Sequence, residues 1–266
     1  MTVQAHNQKA ASTWGAGGSD YDHISASISD SIEHLVTRLA PRPGESFLDL
    51  ATGTGWTARR LAQRGAKVTG IDIGEGVVAA AAEFAKAAGL AIDFRVGDAE
   101  KVDLPNAAFD GIASTCGVMF ASRPEAVAGE LARLCRPGGR IGLTTWLPQS
   151  AIAEMFKMMR PYMPPPPDPA PPSPFEWGSP DRVRALLGGA FDLKFETGTS
   201  VMRVPAGEDA WNLFVTGYGP TKMLYANAGD RKDDLKRDFI AFHDRHRNEI
   251  GVAMPREYLV TIGRRK

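Results

Sequence analysis

Apolar side chains along this chain recur with two alternating periods. Ile28, Ile32, Leu35, Val36 and Leu39 follow helical spacing, which predicts an amphipathic helix ending before Pro41. Phe47, Leu48 and Leu50 make a short apolar run suited to a buried strand, and residues 56–64 return to helical spacing up to Gly65. The exchange repeats with a strand over 67–72, a helical face of Val77, Ala81, Phe84, Ala85 and Ala88 closed by Gly89, and strands over 92–96 and 109–114. Ser122-Arg123-Pro124-Glu125 has the residues of a capping box ahead of a helix carrying Val127, Leu131, Leu134 and Cys135. Pro137-Gly138-Gly139 then turns into a fifth strand over 140–146. Strands alternating with helices through five rounds argue for a parallel sheet covered on both faces.

The pattern changes at Pro148. Ile152, Met155, Phe156 and Met159 form one helical stripe, and residues 164–174 then hold eight prolines in eleven positions. Such a run cannot be helix or sheet interior and is expected to be extended. Ser179-Pro180 opens another helix, with Ser at the cap and Pro at the first position. A long strand over 191–204, a stripe of Trp211, Phe214, Val215 and Tyr218, a charged helix over 230–248 and a last strand over 258–262 complete the reading. Residues 1–19 are polar and glycine-containing, and are expected to stay loose until a ligand or the core fixes them.

Composition changes this picture little. The 266 residues suit one large domain or one with an insertion, and 31 basic residues balance 31 acidic ones. A nucleic-acid partner would need a basic excess or stripe, and no apolar run has the length of a membrane span. Cys116 and Cys135 read as two buried free thiols of a cytoplasmic protein. His243 and His246 have ligand-like spacing, but no third ligand is evident, so that segment reads as a solvated charged face and no metal is expected. His23 is a candidate base near the N-terminal segment, with a structural role the commoner outcome.

Candidate chemistry centres on Leu48-Asp49-Leu50-Ala51-Thr52-Gly53-Thr54-Gly55. Glycines between a strand and a helix let the backbone turn sharply and approach a ligand, with free N–H groups facing it. Gly53-x-Gly55-x-x-Ala58 fits a dinucleotide fingerprint, an S-adenosylmethionine turn, or a merely structural turn. Asp72 ends the second strand, where an acid can accept from ribose hydroxyls, and Gly97-Asp98-Ala99 follows the third, with Asp98 placed to accept from an adenine amino group.

With Phe109-Asp110 and Leu134-Cys135-Arg136-Pro137-Gly138-Gly139 added in order, these motifs resemble the class I S-adenosylmethionine-dependent methyltransferases, in particular the group like the ubiquinone- and menaquinone-biosynthesis enzymes. The resemblance spans residues 14–146 and resumes at the terminal strand. It implies a doubly wound, mostly parallel seven-stranded sheet with a helical cap inserted after the fifth strand. The domain division is 1–40 as lid and helix, 41–147 as cofactor core, 148–228 as substrate cap, and 229–266 as the helix and strand completing the sheet. It further implies S-adenosylmethionine as cofactor, met by Tyr21, Ala51, Gly53, Thr54, Gly55, Asp72, Ile73, Asp98, Ala99, Thr115 and Cys116. The acceptor is expected to be a small apolar or aromatic molecule methylated at O, N or C, its pocket drawing on Met119, Phe120, Met155, Phe156, Trp211 and Phe214. No general base stands out, and alignment of an in-line displacement can carry the reaction. A catalytically silent cofactor binder and a nicotinamide-dependent oxidoreductase are the alternatives, and a homodimer is left open.

Overall fold

A computed structural model of the protein describes residues 2–166 and 170–266. The central prolines of the 164–174 run therefore lie outside the described residues. Three helices come first: α1 (Gln8–Gly15), α2 (Tyr21–Ala26) and α3 (Ser29–Leu39). The alternating part follows as β1 (Ser46–Leu50), α4 (Trp56–Gln63), β2 (Lys67–Asp72), α5 (Glu75–Ala87), β3 (Ile92–Val96), β4 (Phe109–Thr115), α6 (Pro124–Leu134) and β5 (Cys135–Trp146). The remainder is α7 (Ala151–Met159), α8 (Pro180–Leu187), β6 (Phe191–Val204), α9 (Gly207–Gly217), α10 (Gly219–Ala226), α11 (Lys232–Asp244), β7 (Arg247–Asn248) and β8 (Gly251–Arg265).

The strands form one sheet in the order β3-β2-β1-β4-β5-β8-β6, with the two-residue β7 paired to β8. β1 to β5 run parallel, and β8 is antiparallel to both β5 and β6. This is the doubly wound fold expected from the alternation, with β8 reversed between β5 and the edge strand β6. Phe47, Leu48 and Leu50 are fully buried because helices cover both faces of β1. Chain order reverses between β1 and β4, so their carboxyl ends open a crevice at the switch point. Helices α1, α2, α9 and α10 pack together.

Several expectations need correction. Residues 8–15 are helical, and the Asn7 side chain before them donates to Asp98 (3.0 Å), which fixes a segment too polar to announce itself. Ser122 caps no helix: α6 starts at Pro124 without a side-chain cap, and the Ser122 hydroxyl donates to Glu100 (2.8 Å). The charged helix ends at Asp244, and the last strand is far longer than 258–262 because it pairs with β6 along that strand's whole length. His243 is not on a solvated face. It is fully buried against Phe214, Phe239 and Phe242, and its Nδ1 lies 2.8 Å from the Phe239 carbonyl.

Candidate active site

The turn after β1 is built by one carboxylate and two glycines. Asp49, at 1 % exposure, accepts from the Thr52 hydroxyl (2.6 Å) and from the Ala58 amide in the first turn of α4 (2.9 Å). Burial pushes its carboxyl up to about 7, against the pull of those two donors. Gly53 and Gly55 adopt φ of +55° and +81°, which L side chains rarely accept. A Cβ at Gly53 would lie 3.1 Å from Cε1 of Tyr21, so the Tyr21 ring rests over the bare turn.

Asp72, at the end of β2, stands on the wall of the crevice. One carboxylate oxygen accepts from the Gly53 amide (2.8 Å) and the other from the Gly74 amide (2.9 Å). Each oxygen keeps one lone pair, which suits two vicinal hydroxyls. Burial raises this carboxyl above its ordinary value, and the backbone amides oppose the rise. Asp98 accepts from the Glu100 amide on one oxygen (3.0 Å), and from the Asn7 side chain (3.0 Å) and Gln4 amide (3.2 Å) on the other. The N-terminal segment thus reaches Asp98 directly, and His6 adds a 2.8 Å contact to Glu100.

On the other side, the loop after β4 carries Thr115, whose hydroxyl lies 2.8 Å from that of Thr57, and Cys116, at φ +51°. Tyr21 and Cys116 keep some surface, yet both sit deep among protein atoms. Burial raises the Tyr21 phenol and pushes the Cys116 thiol up to about 12.

These groups line one cavity with about 1030 Å³ of non-protein space, its mouth included. It brings together Tyr21, Ala51, Gly53, Asp72, Ile73, Asp98, Ala99, Thr115, Cys116 and Phe120 of the residues expected from the sequence. Thr54 and Gly55 shape the turn beneath it without bordering it. Met119, Met155, Trp211 and Phe214 are at most 4 % exposed within the hydrophobic core and are not on its wall. Phe156 stands one ring further out, stacked on Phe120 at 5.8 Å. No histidine among the described residues lines the cavity, and His23 is exposed on α2.

Sequence reasoning missed Asn7, Trp14, Ser25, Ile28, Trp56 and Thr57 on the wall. Trp56 and Thr57 directly follow the glycine turn, which was a usable signal. Asn7 and Trp14 belong to the segment read as loose. Trp56 also leaves its buried indole N–H without a partner among the described residues. A glycine cradle, a two-oxygen acceptor and an orphaned donor around one elongated cavity fit an adenosine joined to a charged amino-acid tail.

A switch-point cavity of this kind is where a doubly wound α/β fold takes a nucleoside cofactor. A methyltransferase-domain family model matches residues 48–143. An uncharacterized protein of Mycobacterium tuberculosis is 35% identical over 198 residues, 74% of this chain and 72% of that one. The malonyl-[acyl-carrier protein] O-methyltransferase of Serratia marcescens is 34% identical over 140 residues, 53% of each chain. Among solved structures, the YcgJ protein from Bacillus subtilis superposes with a TM-score of 0.61 at 17% identity, covering 89% of this chain and 99% of that one. Geranyl diphosphate methyltransferase, solved in complex with S-adenosylmethionine, gives 0.54 at 16% identity, covering 90% and 85%. The chain belongs to the class I S-adenosylmethionine-dependent methyltransferases. The oxidoreductase alternative falls with that assignment.

Proposed function

We propose that the protein transfers a methyl group from S-adenosylmethionine to an oxygen of a small, apolar or aromatic molecule in the cytoplasm. The observation that carries this reading is one cavity that passes the strand ends from Asp98 by Asp72 and Gly53 to Cys116, with Trp14, Ile28, Ile32, Val118 and Phe120 also on its wall. Asp72 would hold the ribose on its two free lone pairs, with Ile73, Asp98 and Ala99 around the adenine. Tyr21, Ala51, Gly53, Thr115 and Cys116 would enclose the methionine end. Bound there, the cofactor supplies a methyl group already activated by a sulfonium. The chain then has to orient the acceptor and exclude water, which apolar walls do. Residues 1–40 act as the lid in this reading, and Phe120 and Trp14, rather than the expected Trp211 and Phe214, face the acceptor. Similarity to the malonyl-[acyl-carrier protein] and nocamycin O-methyltransferases supports oxygen as the acceptor atom.

The test is incubation with methyl-labelled S-adenosylmethionine and a metabolite extract, with mass spectrometry for the labelled product. Calorimetry with S-adenosylhomocysteine and NADH runs beside it. Micromolar NADH binding with no response to S-adenosylhomocysteine would sink the reading.

A further inference from the structure

The titratable residues on the cavity wall are Tyr21, Asp72, Asp98 and Cys116. The two that stand nearest the acceptor side, Tyr21 and Cys116, already hold their protons at neutral pH because burial raises both. Asp72 and Asp98 are tied to backbone amides at the nucleoside end. None of these is placed to take a proton from a neutral alcohol, so an acceptor that arrives ionised suits the site better than one needing a base.

Beyond the cavity wall lies a buried cation to which no carboxylate is hydrogen-bonded. Arg256, on β8, is 2 % exposed, and its Nε–H has no acceptor among the described residues. Its guanidinium donates only to neutral oxygens: the Ser27 carbonyl, the Ser27 hydroxyl (3.1 Å) and the Ser200 hydroxyl (3.0 Å). Trp146 presents its ring face 5.9 Å away. Taking a guanidinium out of water into such surroundings is costly unless a negative charge joins it. Asp30 is the carboxylate that acts on it, but Asp30 is exposed, engages the Ser31 amide (2.8 Å) and is screened by solvent.

The position of this cation matters. Ser27 sits where α2 passes into α3, between Ser25 and Ile28, and both of those border the cavity. Burial raises the Cys116 thiol on the wall, and its Thr144 contact and the Arg256 charge oppose that rise.

We propose that the part of the cavity bounded by Ser25 and Ile28 is an anion subsite, that Arg256 is its counter-charge from behind the wall, and that the methyl acceptor is a carboxylate. The proposal rests on the methyltransferase reading and narrows its substrate class. One carboxylate oxygen bonds to the methyl carbon as the carbon–sulfur bond breaks, and the electron pair of that bond stays on sulfur. The products are a methyl ester and a neutral thioether, the two charges cancel, and no proton moves.

The experiment loads the full chain with S-adenosylhomocysteine and titrates it with benzoate, benzamide, hexanoate and hexanamide by calorimetry. The acids are expected to bind at least about tenfold more tightly than their amides. Arg256→Met is expected to erase that preference while leaving S-adenosylhomocysteine affinity unchanged, and Arg256→Lys to retain it. Equal or undetectable binding of acid and amide by the wild type at millimolar concentration overturns the proposal, whether or not Arg256→Met folds. A preference surviving in folded Arg256→Met overturns it too. Failure of S-adenosylhomocysteine to bind would instead refute the methyltransferase reading, so the two failures are told apart.

Discussion

Replacing Asp72 separates its structural work from its ligand work. In the folded chain its two oxygens satisfy the amides of Gly53 and Gly74. Asp72→Ala leaves the Gly74 amide buried without a partner, which costs about 1–3 kcal/mol. The Gly53 amide faces the cavity, where water can replace the lost oxygen, so its share is smaller. Asp72→Asn keeps one acceptor for Gly74 and sets an NH₂ group against the Gly53 amide. Either variant is therefore expected to unfold at lower urea concentration yet remain folded in buffer. On the cofactor side each variant removes charged-acceptor hydrogen bonds of about 1.5–3 kcal/mol each. S-adenosylhomocysteine should bind at least about tenfold more weakly by calorimetry. A folded variant with an unchanged dissociation constant would mean that the ribose lies elsewhere, however stable the variant is.

Gly53→Ala forces an L side chain to φ +55° with its Cβ 3.1 Å from the Tyr21 ring, so a stability loss of about 1–2 kcal/mol by urea denaturation is expected together with weaker S-adenosylhomocysteine binding. Trp211→Ala truncates a core side chain and should cost about 3–5 kcal/mol, while Phe120→Ala, on the cavity wall, should raise the acceptor's KM more than it lowers stability. The opposite pattern would move the acceptor pocket to α9. His243 is held neutral by burial, which lowers it to about 4 from the ordinary histidine range near 6.5. The unfolded chain binds the extra proton first, so this contribution is intact above about pH 6.5 and is lost progressively as pH falls toward 4, up to about 3 kcal/mol. Asp49 works against it: its raised carboxyl is protonated more readily in the folded chain and favours folding as pH falls below about 7. The informative measurement is therefore the difference in urea stability between wild type and His243→Phe across pH 4–7, and a difference that does not change with pH refutes the assignment.

The part of the cavity around the glycine turn was legible in the sequence because its requirements fall on residue type at fixed places. A left-handed turn selects Gly53 and Gly55, and the ends of β2 and β3 select Asp72 and Asp98. The apolar part of the cavity was not legible, because its wall is drawn from separate segments, each individually ambiguous. Met155, Trp211 and Phe214 lie on helical stripes whose apolar faces look alike whether they meet a core or a ligand, and here they meet the core. Trp14 and Asn7 belong to a segment with too little apolar periodicity to mark a helix. That segment is ordered by contacts that sequence spacing does not show, such as Asn7 on Asp98 and the rings of Trp14 on Phe120 and Tyr218.

One signal bearing on the proposed anion subsite was nonetheless present. Along β8 the alternate positions Val252, Met254, Arg256, Tyr258 and Val260 are all buried. A period-two pattern with four apolar or aromatic members and one arginine places a cation on the inner face of a strand. A charge in that register is costly to keep, and the sheet offers it only serine oxygens and an indole face. If Arg256 served only to hold the α2–α3 junction, a neutral donor could make the same bonds to Ser27 and Ser200 without that cost. Arg256→Gln tests this step: under a purely structural role it should match or exceed wild-type stability and leave acid and amide probes bound as before. Under the anion-subsite reading it should fold equally well and lose the preference for the acid.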